Sequence, residues 1–510
     1  MRRAVVLAVL LAATANAAEK TPPRIAIEEM AVAAARGSLG ASLATTPDGE
    51  LWLSWVEPAP PVPGTAPAPA AADSTHHHGA APAGGPHTLR FAKFDAPAKR
   101  WSPPRTIATG HGVPTSSADF PQLVSDGRGR AFALWHDGRG GAALSESADG
   151  GATWSTPAPW TRNGNPVEKF SLVRLADGRV LAAWLDGRVR SGGGKAQQLF
   201  ARVLGTTDDM LVDPSVCDCC QTTLAAFPDG GALLAYRGRT DQEVRDIRIS
   251  RWHGGKWDEP RTLNNDDWRI AACPINGPRL ASDGGRIAAA WFTAADNDPR
   301  VLASFSPDAG GRFLIPLRID RGKPAGRVDT LILHDGAMLV TWVENDGSVW
   351  LRRVTPDFSV NEPVALAAAG STSTKTVPRL ALWRDYRGGK MPAQVIAAFA
   401  GEGSAPLRTL LISIPEGELL EFENECGCSP TPEQLQGFPL RGTIGSAQPG
   451  TGTLRVQHAE LPGVFAAGTR DFKTAPEVLT AAQPGRAILG RVELREGAWW
   501  LFDVRLLGPP

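Results

Sequence analysis

The sequence predicts an all-β protein in which a β-propeller is followed by a small β-barrel. Glycine, proline and tryptophan are abundant, at 55, 43 and 16 of the 510 residues, and apolar runs at helical spacing are almost absent. Seven repeats share an Asp-Gly or Gly-Gly turn and then a short apolar strand that ends in an aromatic residue: Trp55, Trp135, Trp184, Tyr236, Trp291, Trp342 and Phe399. Because most repeats are about 50 residues apart and each holds several short strands, they predict propeller blades rather than a helical solenoid.

The N-terminus predicts export. Two arginines precede an apolar run, and Ala15 and Ala17 form the small-residue pattern that signal peptidase accepts. We therefore expect residues 1–17 to be a signal peptide, cleaved near Ala17, and the mature protein to be periplasmic or secreted. No other segment approaches the roughly 20 apolar residues of a membrane helix, so we expect no membrane span. The 53 basic and 53 acidic residues balance, which argues against a nucleic-acid partner.

The mature chain divides into a propeller at residues 25–416, a linker at 417–436 and a barrel at 437–510. The first repeat carries an insertion at residues 58–87 that is rich in proline, alanine and glycine. This insertion also contains a histidine tract, His76, His77 and His78. A short histidine-rich tract in a loop binds first-row metals weakly, so a metal-scavenging loop and a solvated loop without function are both open interpretations.

One repeat carries a specific turn motif. Residues Ser147 to Trp154 read S-x-D-x-G-x-T-W, and Ser306 to Phe313 is a degenerate copy. The aspartate can cap the turn backbone while the aromatic residue packs between sheets, so we assign this motif a structural role. Through it the chain resembles the sialidase-like (BNR, Asp-box) propeller family over residues 25–416. Members with sialidase activity have six blades whereas the chain has seven repeats, which leaves a six- or seven-bladed β-propeller. We favour seven, with a strand near residues 24–30 closing the ring.

The repeat register brings two cysteine-bearing segments to one face of the propeller. The first strand of a blade starts from this face and the second strand returns to it, so residues before the first strand gather there. Cys219 lies ten residues before the turn residue Asp229, and Cys273 lies ten residues before Asp283. Neighbouring repeats are therefore expected to present thiols at the same height near the central axis.

Two interpretations of the cysteines are open. An exported protein with six cysteines favours disulfides, and Cys273 could pair with Cys219 or Cys220. The alternative is a soft-metal site, because clustered thiolates suit copper(I) or, less well, zinc. Its candidate ligands are Cys217, Cys219, Cys220, Cys273, Cys426 and Cys428. If the cysteines hold a metal rather than disulfides, copper suits them better than zinc, because the cysteine spacing matches no standard zinc finger.

The C-terminal domain has the pattern of five short strands ending at Leu507, the size of an OB-like β-barrel. The stretch 452–463, together with Phe472 and the pair Trp499-Trp500, resembles the periplasmic copper-binding CusF family.

That resemblance implies a copper(I) site built from one histidine and two methionines. His458 matches the histidine, but the methionine positions fall on Gly468 and Arg470, which cannot donate to a soft metal. We therefore expect this barrel to keep the fold, to lack the site and to act as an interaction module.

The sialidase resemblance implies a catalytic alternative. Such enzymes clamp the substrate carboxylate with arginines and attack with a tyrosine, for which the candidates are Arg24, Arg237, Arg239 and Tyr236. Tyr236 also stands where other repeats carry a packing tryptophan, which favours a structural role. The sequence does not decide whether the chain is an enzyme, and three functions are open. It binds or delivers copper, with a metal ion or metal-carrying protein as partner; it is an exo-α-sialidase-type glycoside hydrolase; or it is a non-catalytic propeller that binds a protein or a glycan.

Overall fold

The fold is described from a computed structural model of the chain. It describes residues 25–59, 87–110, 118–137, 141–161, 166–191, 196–333, 335–357, 359–384, 392–403, 405–414, 438–458, 468–495 and 498–507. The signal-peptide prediction, the linker and most of the insertion lie outside these residues.

The first strand of the described chain, β1 (Ala26–Met30), is followed by sheets built from strands that are consecutive in sequence. The first sheet contains β2 (Leu39–Thr45), β3 (Leu51–Pro58), β4 (His87–Asp95), β5 (Arg100–Trp101) and β6 (Arg105–Gly110). The second contains β7 (Gln122–Ser125), β8 (Ala131–His136), β9 (Ala142–Ser147) and β10 (Ala158–Pro159). The third contains β11 (Val167–Arg174), β12 (Val180–Asp186), β13 (Gln197–Val203) and β14 (Met210–Val216), with the short helix α1 (Arg188–Ser191) after β12.

Four further sheets follow in the same manner. The fourth contains β15 (Thr223–Ala226), β16 (Ala232–Arg237), β17 (Ile247–His253), β18 (Lys256–Trp257) and β19 (Arg261–Thr262). The fifth contains β20 (Arg279–Asp283), β21 (Arg286–Thr293), β22 (Arg300–Ser306) and β23 (Leu317–Arg318), with a 3-10 turn at Ala295–Asn297. The sixth contains β24 (Pro324–Ile332), β25 (Met338–Glu344), β26 (Val349–Val354) and β27 (Val364–Ala367). The seventh contains β28 (Arg379–Arg384), β29 (Ala393–Phe399) and β30 (Arg408–Ile414), and β1 joins it.

The sheets are arranged around an axis lined by their first strands. These strands contact one another in chain order, from β2 through β7, β11, β15, β20 and β24 to β28, and β28 contacts β2. Strand β1 pairs antiparallel with β30, placing Met30 opposite Thr409. The N-terminal strand thus completes the last sheet, as the sequence predicted. Nearly all-β antiparallel sheets in this order are consistent with a β-propeller.

The repeat aromatics lie on the second strand of every sheet and are buried between sheets. Three of the tryptophans donate their indole N–H to a carboxylate two residues further on: Trp55 to Glu57 at 2.9 Å, Trp184 to Asp186 at 3.0 Å and Trp342 to Glu344 at 2.8 Å. A buried indole N–H needs an acceptor, so these carboxylates stabilise the packing of the aromatics.

The predicted turns form as expected. Gly178 and Gly230 have φ angles of +89° and +85°, a conformation that glycine adopts without strain. The preceding aspartates accept the backbone N–H two residues on, as Asp177 does from Arg179 at 2.9 Å and Asp229 from Gly231 at 2.8 Å.

The C-terminal segment forms a closed five-stranded barrel. Its strands are β31 (Phe438–Gln448), β32 (Thr453–His458), β33 (Gly468–Lys473), β34 (Ala487–Arg495) and β35 (Ala498–Leu507), in the order β31-β32-β33-β35-β34. A short helix, α2 (Pro476–Ala481), follows β33. Five strands match the sequence prediction, which did not foresee this helix. The barrel core includes Leu454, Val456 and Phe472.

Candidate metal centre

Three cysteines converge in the loop between β14 and β15. The Sγ atom of Cys217 lies 3.9 Å from that of Cys219 and 3.5 Å from that of Cys220. The three sulfur atoms all lie within 4.8 Å of one another. All three residues are buried, with at most 5% of their surface exposed. This cluster, which we call the cysteine triad, brings together the C-x-C-C ligands that the sequence singled out.

The fifth sheet contributes to the same cluster. Cys273, an exposed residue in the loop before β20, lies close enough to Cys219 to help raise the pKa of that thiol. Ile275 packs against the triad, and the backbone N–H of Asn276 donates to the Cys220 sulfur at 3.3 Å. The register argument is confirmed to this extent, because loops preceding the first strands of two neighbouring sheets meet. The sulfur–sulfur distances within the triad exceed the roughly 2 Å of a disulfide bond.

The three thiols of the triad differ in pKa. Hydrogen bonds with Cys219 and Cys220, together with the nearby Arg245 guanidinium, hold the pKa of Cys217 well below its usual range. Arg245 is itself buried and donates from Nη1 to the Cys217 sulfur at 3.2 Å. The pKa of Cys219 is raised because its proton is shared with Cys217, and burial raises the pKa of Cys220.

Further cations lie close to the sulfurs. Burial lowers the pKa of Arg327 to about 10, and electrostatic attraction to the Cys220 and Cys219 sulfurs opposes that shift. Buried Lys169 of β11 lies within electrostatic reach of Cys219 and forms an ion pair with Asp119. Cations around thiols favour thiolates, the form that binds metals.

Arg237 positions the loops around the triad. Its guanidinium donates to the carbonyl oxygens of Asn276 at 2.8 and 3.0 Å, Arg245 at 2.6 Å and Phe292 at 2.7 Å. Asn276 and Arg245 are the residues that contact the triad sulfurs. This buried arginine was proposed from the sequence as a substrate clamp, yet the structure directs its donors to backbone carbonyls.

The remaining hydrolase candidates are also held by protein groups. Tyr236 is completely buried, and its hydroxyl donates to Asp213 Oδ2 at 2.6 Å. Burial raises the pKa of this tyrosine above its usual value, which disfavours the phenolate that a nucleophile needs. Arg239 bonds Glu243 at 2.6 Å and Asp218 at 3.1 Å. These contacts match the packing interpretation of Tyr236, and the glycosidase assignment stays a prediction. Arg24 lies outside the described residues.

The surroundings of His458 in the barrel lack the donor atoms of a soft-metal site. It pairs on the strand ladder with Gly468, and Val456 pairs with Arg470, so the positions that the copper family fills with methionines do lie beside the histidine. Neither glycine nor arginine offers a soft donor atom. The histidine itself is buried, with its ring 6.0 Å from that of Phe472. The residues present therefore do not fit the copper site of the CusF family.

Several predicted ligands lie outside the described residues. These are Cys426, Cys428, His76, His77 and His78. Sequence reasoning also missed Arg245, Arg327 and Lys169, because each comes from a different sheet and no local motif connects them with the cysteines.

No protein-family description and no curated protein matches this chain. Solved structures resemble it at low identity. The BP39L lectin of Burkholderia pseudomallei aligns with a TM-score of 0.49 and 10% identity over 73% of this chain and 99% of the lectin. An α-L-arabinofuranosidase of Fusarium graminearum gives 0.41 and 13% over 74% and 93% of the two chains. A leech intramolecular trans-sialidase gives 0.39 and 12% over 74% and 68%. Values this low transfer no site or activity to this chain.

Across the described ranges, no helix is both long enough and apolar enough to cross a membrane.

Proposed function

We propose that this chain binds a soft metal ion, copper(I) before zinc, through the cysteine triad. The observation that carries the proposal is the convergence of three buried sulfur atoms within 4.8 Å of one another. Thiolates prefer soft metals, and three of them from one loop form a compact donor set. Cys273 is the fourth candidate ligand, because it lies close enough to Cys219 to affect the pKa of that thiol.

The charges around the triad support this proposal. A copper(I) ion held by three thiolates has a net negative charge, and Arg245, Arg327 and Lys169 supply positive charges close to the sulfurs. Buried charges need such compensation. The donors of Arg237 fix the two loops that carry Arg245 and Asn276, so the arrangement is held before a metal arrives.

The number of blades and the type of barrel are part of the same proposal. We take the seven sheets as seven propeller blades, and the closed barrel as an OB-like domain that lacks its own copper site. The barrel then serves to dock a metal-carrying partner protein, and the protein works in the periplasm or outside the cell.

The test is metal binding by reduced protein purified without oxygen. We expect one equivalent of copper(I), measured by competition with a chromogenic chelator and by elemental analysis. Cys219→Ser and Cys220→Ser should each remove high-affinity binding, whereas Cys273→Ser should weaken it less. The double variant Cys426→Ser, Cys428→Ser tests whether these two candidate ligands take part, and we expect its stoichiometry to stay at one because the triad supplies the ligands. Less than one equivalent in the wild-type protein, with both copper and zinc, would overturn the proposal.

A further inference from the structure

The segment before β7 reaches across the axis of the ring. Gln221, next to the fourth sheet, donates to the carbonyl oxygen of Ala118 at 2.9 Å. Lys169 of the third sheet binds Asp119, and a Cβ atom on Gly40 of the first sheet would meet the Asp119 carbonyl at 2.6 Å. Residues 118–120 therefore contact residues of the first and third sheets and the loop before the fourth, close to the axis that the first strands surround. We call them the axial segment.

Phe120 of the axial segment covers two arginines from sheets further round the ring. The guanidinium carbons of Arg279 on β20 and Arg379 on β28 lie 4.9 and 4.8 Å from the Phe120 ring centre. The Arg279 side chain is buried and that of Arg379 is largely buried, with 7% and 13% of their surface exposed. Guanidinium groups stack well on aromatic faces, and this contact holds both arginines in place.

The two arginines share one carboxylate. Asp329 Oδ1 lies 3.7 Å from Arg279 Nε, and Asp329 Oδ2 lies 3.3 Å from Arg379 Nε. Asp329 Oδ2 also accepts the backbone N–H of Leu380 at 2.8 Å. Two positive charges thus face one negative charge. Arg327, on the same strand as Asp329, adds a further cation whose guanidinium donates to backbone carbonyls.

Donor atoms remain unused in this pair. Among the described residues, Arg279 Nη2 and Arg379 Nη1 are buried and have no hydrogen-bond partner. Buried donors without an acceptor, and buried charges without a counter-ion, both cost free energy. The two arginines also repel each other: burial, and then the positive charge of Arg379, lower the pKa of Arg279 to about 9. A bound anion would remove both costs.

We propose that Arg279 and Arg379, packed against Phe120 near the axis of the ring, bind an oxyanion between them. The class of ligand is a carboxylate, phosphate or sulfate group, because its oxygen atoms match the planar donors of guanidinium groups. This site is separate from the cysteine triad and does not depend on metal binding. Asp329 limits its affinity, since a fixed carboxylate competes for the same donors and repels the ligand.

The experiment measures anion binding directly. Wild-type protein is titrated calorimetrically with inorganic phosphate, sulfate or acetate at constant ionic strength, and we expect saturable binding of one anion per chain. The relative affinities of the three probes distinguish a phosphate, sulfate or carboxylate ligand. Arg379→Gln should abolish binding. The control is Arg179→Gln, which changes an exposed arginine in the turn before β12 and should leave binding unchanged. Asp329→Asn keeps an acceptor for Leu380 and removes the competing charge, so it should tighten binding about tenfold.

The Asp329→Asn variant also keeps the proposal testable if the arginine variant does not fold. If Arg379→Gln does not fold, Asp329→Asn still predicts a change in the opposite direction, and anion-dependent thermal stabilisation of the wild type reports binding without any variant. The absence of saturable binding of all three anions to wild-type protein overturns the proposal. Weaker anion binding by a folded Asp329→Asn protein does so as well.

Discussion

At the scale of single residues, the proton distribution in the cysteine triad determines how a metal would bind. Cys217 is the most acidic member, because its hydrogen bonds with Cys219 and Cys220 and the adjacent Arg245 guanidinium hold its pKa well below the usual range. Cys219 and Cys220 have raised pKa values and keep their protons at neutral pH. A metal that binds all three sulfurs must therefore displace the protons of these two residues.

We predict that copper(I) or zinc binding at neutral pH releases about two protons per metal ion from the triad, rather than three. Because protons and metal compete, metal affinity should rise with pH up to the raised pKa values of Cys219 and Cys220. Calorimetric titrations in buffers of different ionisation enthalpy measure the proton count. Arg245→Gln should increase the count and lower the affinity, because it removes a charge that favours the Cys217 thiolate.

The control for this prediction is Arg251→Gln, which removes an arginine paired with Asp229 on the surface of the fourth sheet. It should leave the proton count unchanged. A count of three in wild-type protein would contradict the lowered pKa of Cys217, and an affinity independent of pH would contradict the raised pKa values of Cys219 and Cys220.

At the scale of elements, the sequence predicts what is local and misses what depends on contacts between sheets. Trp184 and its turn are visible as a repeat because strand and turn lie within one short segment. Cys219 and Cys273 could be matched because both lie at the same distance before a turn. The partner of Cys217 could not be predicted, since Arg245 reaches it from the loop after β16. The Asp213 acceptor of Tyr236 likewise comes from β14 of the preceding sheet.

The Asp-box turn shows a local motif acting as predicted. Ser147 accepts the N–H of Gly151 at 2.8 Å and donates to Asp149 at 2.7 Å, while Asp149 accepts the N–H of Thr153 at 2.8 Å. The degenerate copy keeps the arrangement, with Ser306 accepting from Gly310 at 2.9 Å and donating to Asp308 at 2.8 Å. The motif therefore stabilises a turn in both sheets.

We predict that Ser147→Ala lowers the free energy of unfolding by about 1–2 kcal/mol, because it leaves the buried N–H of Gly151 without an acceptor. Ser306→Ala should have a similar effect, and Thr156→Ala, an exposed change nearby, should have almost none. Denaturant titration measures all three. Equal midpoints for Ser147→Ala and Thr156→Ala would show that this turn does not depend on the hydroxyl.

The pH dependence of this turn has a defined sign. Hydrogen bonds from Thr153 and Ser147 lower the pKa of Asp149 from 3.8 to about 2. The stabilisation by Asp149 is therefore fully present above its unfolded pKa, and it is lost as the pH falls from there through about 2.

At the scale of the whole molecule, the two ends of the ring are held together by β1. The N-terminal strand pairs with β30 over five residues, and Glu29 forms an ion pair with Arg408 at 2.9 Å. Thr409 connects this pairing to the first sheet, because it donates to the Met30 carbonyl at 2.8 Å and accepts from Trp101 Nε1 at 3.0 Å. The first and last sheets are thus connected twice: by the chain itself, because β1 in the last sheet leads into β2, and by the hydrogen bonds of Thr409.

We predict that a variant beginning at residue 31, which lacks β1, unfolds at a markedly lower temperature than one beginning at residue 25. The reason is that β30 becomes an unpaired edge, several ladder hydrogen bonds worth about 1 kcal/mol each are lost, and the buried Met30 is removed. Calorimetry measures the midpoint, and size-exclusion chromatography should show self-association through the exposed edge. Since the triad lies in the loop between the third and fourth sheets, away from β1, the fraction that stays folded should still bind copper(I) with one equivalent. Unchanged thermal unfolding would mean that the seven sheets hold the ring closed without this strand.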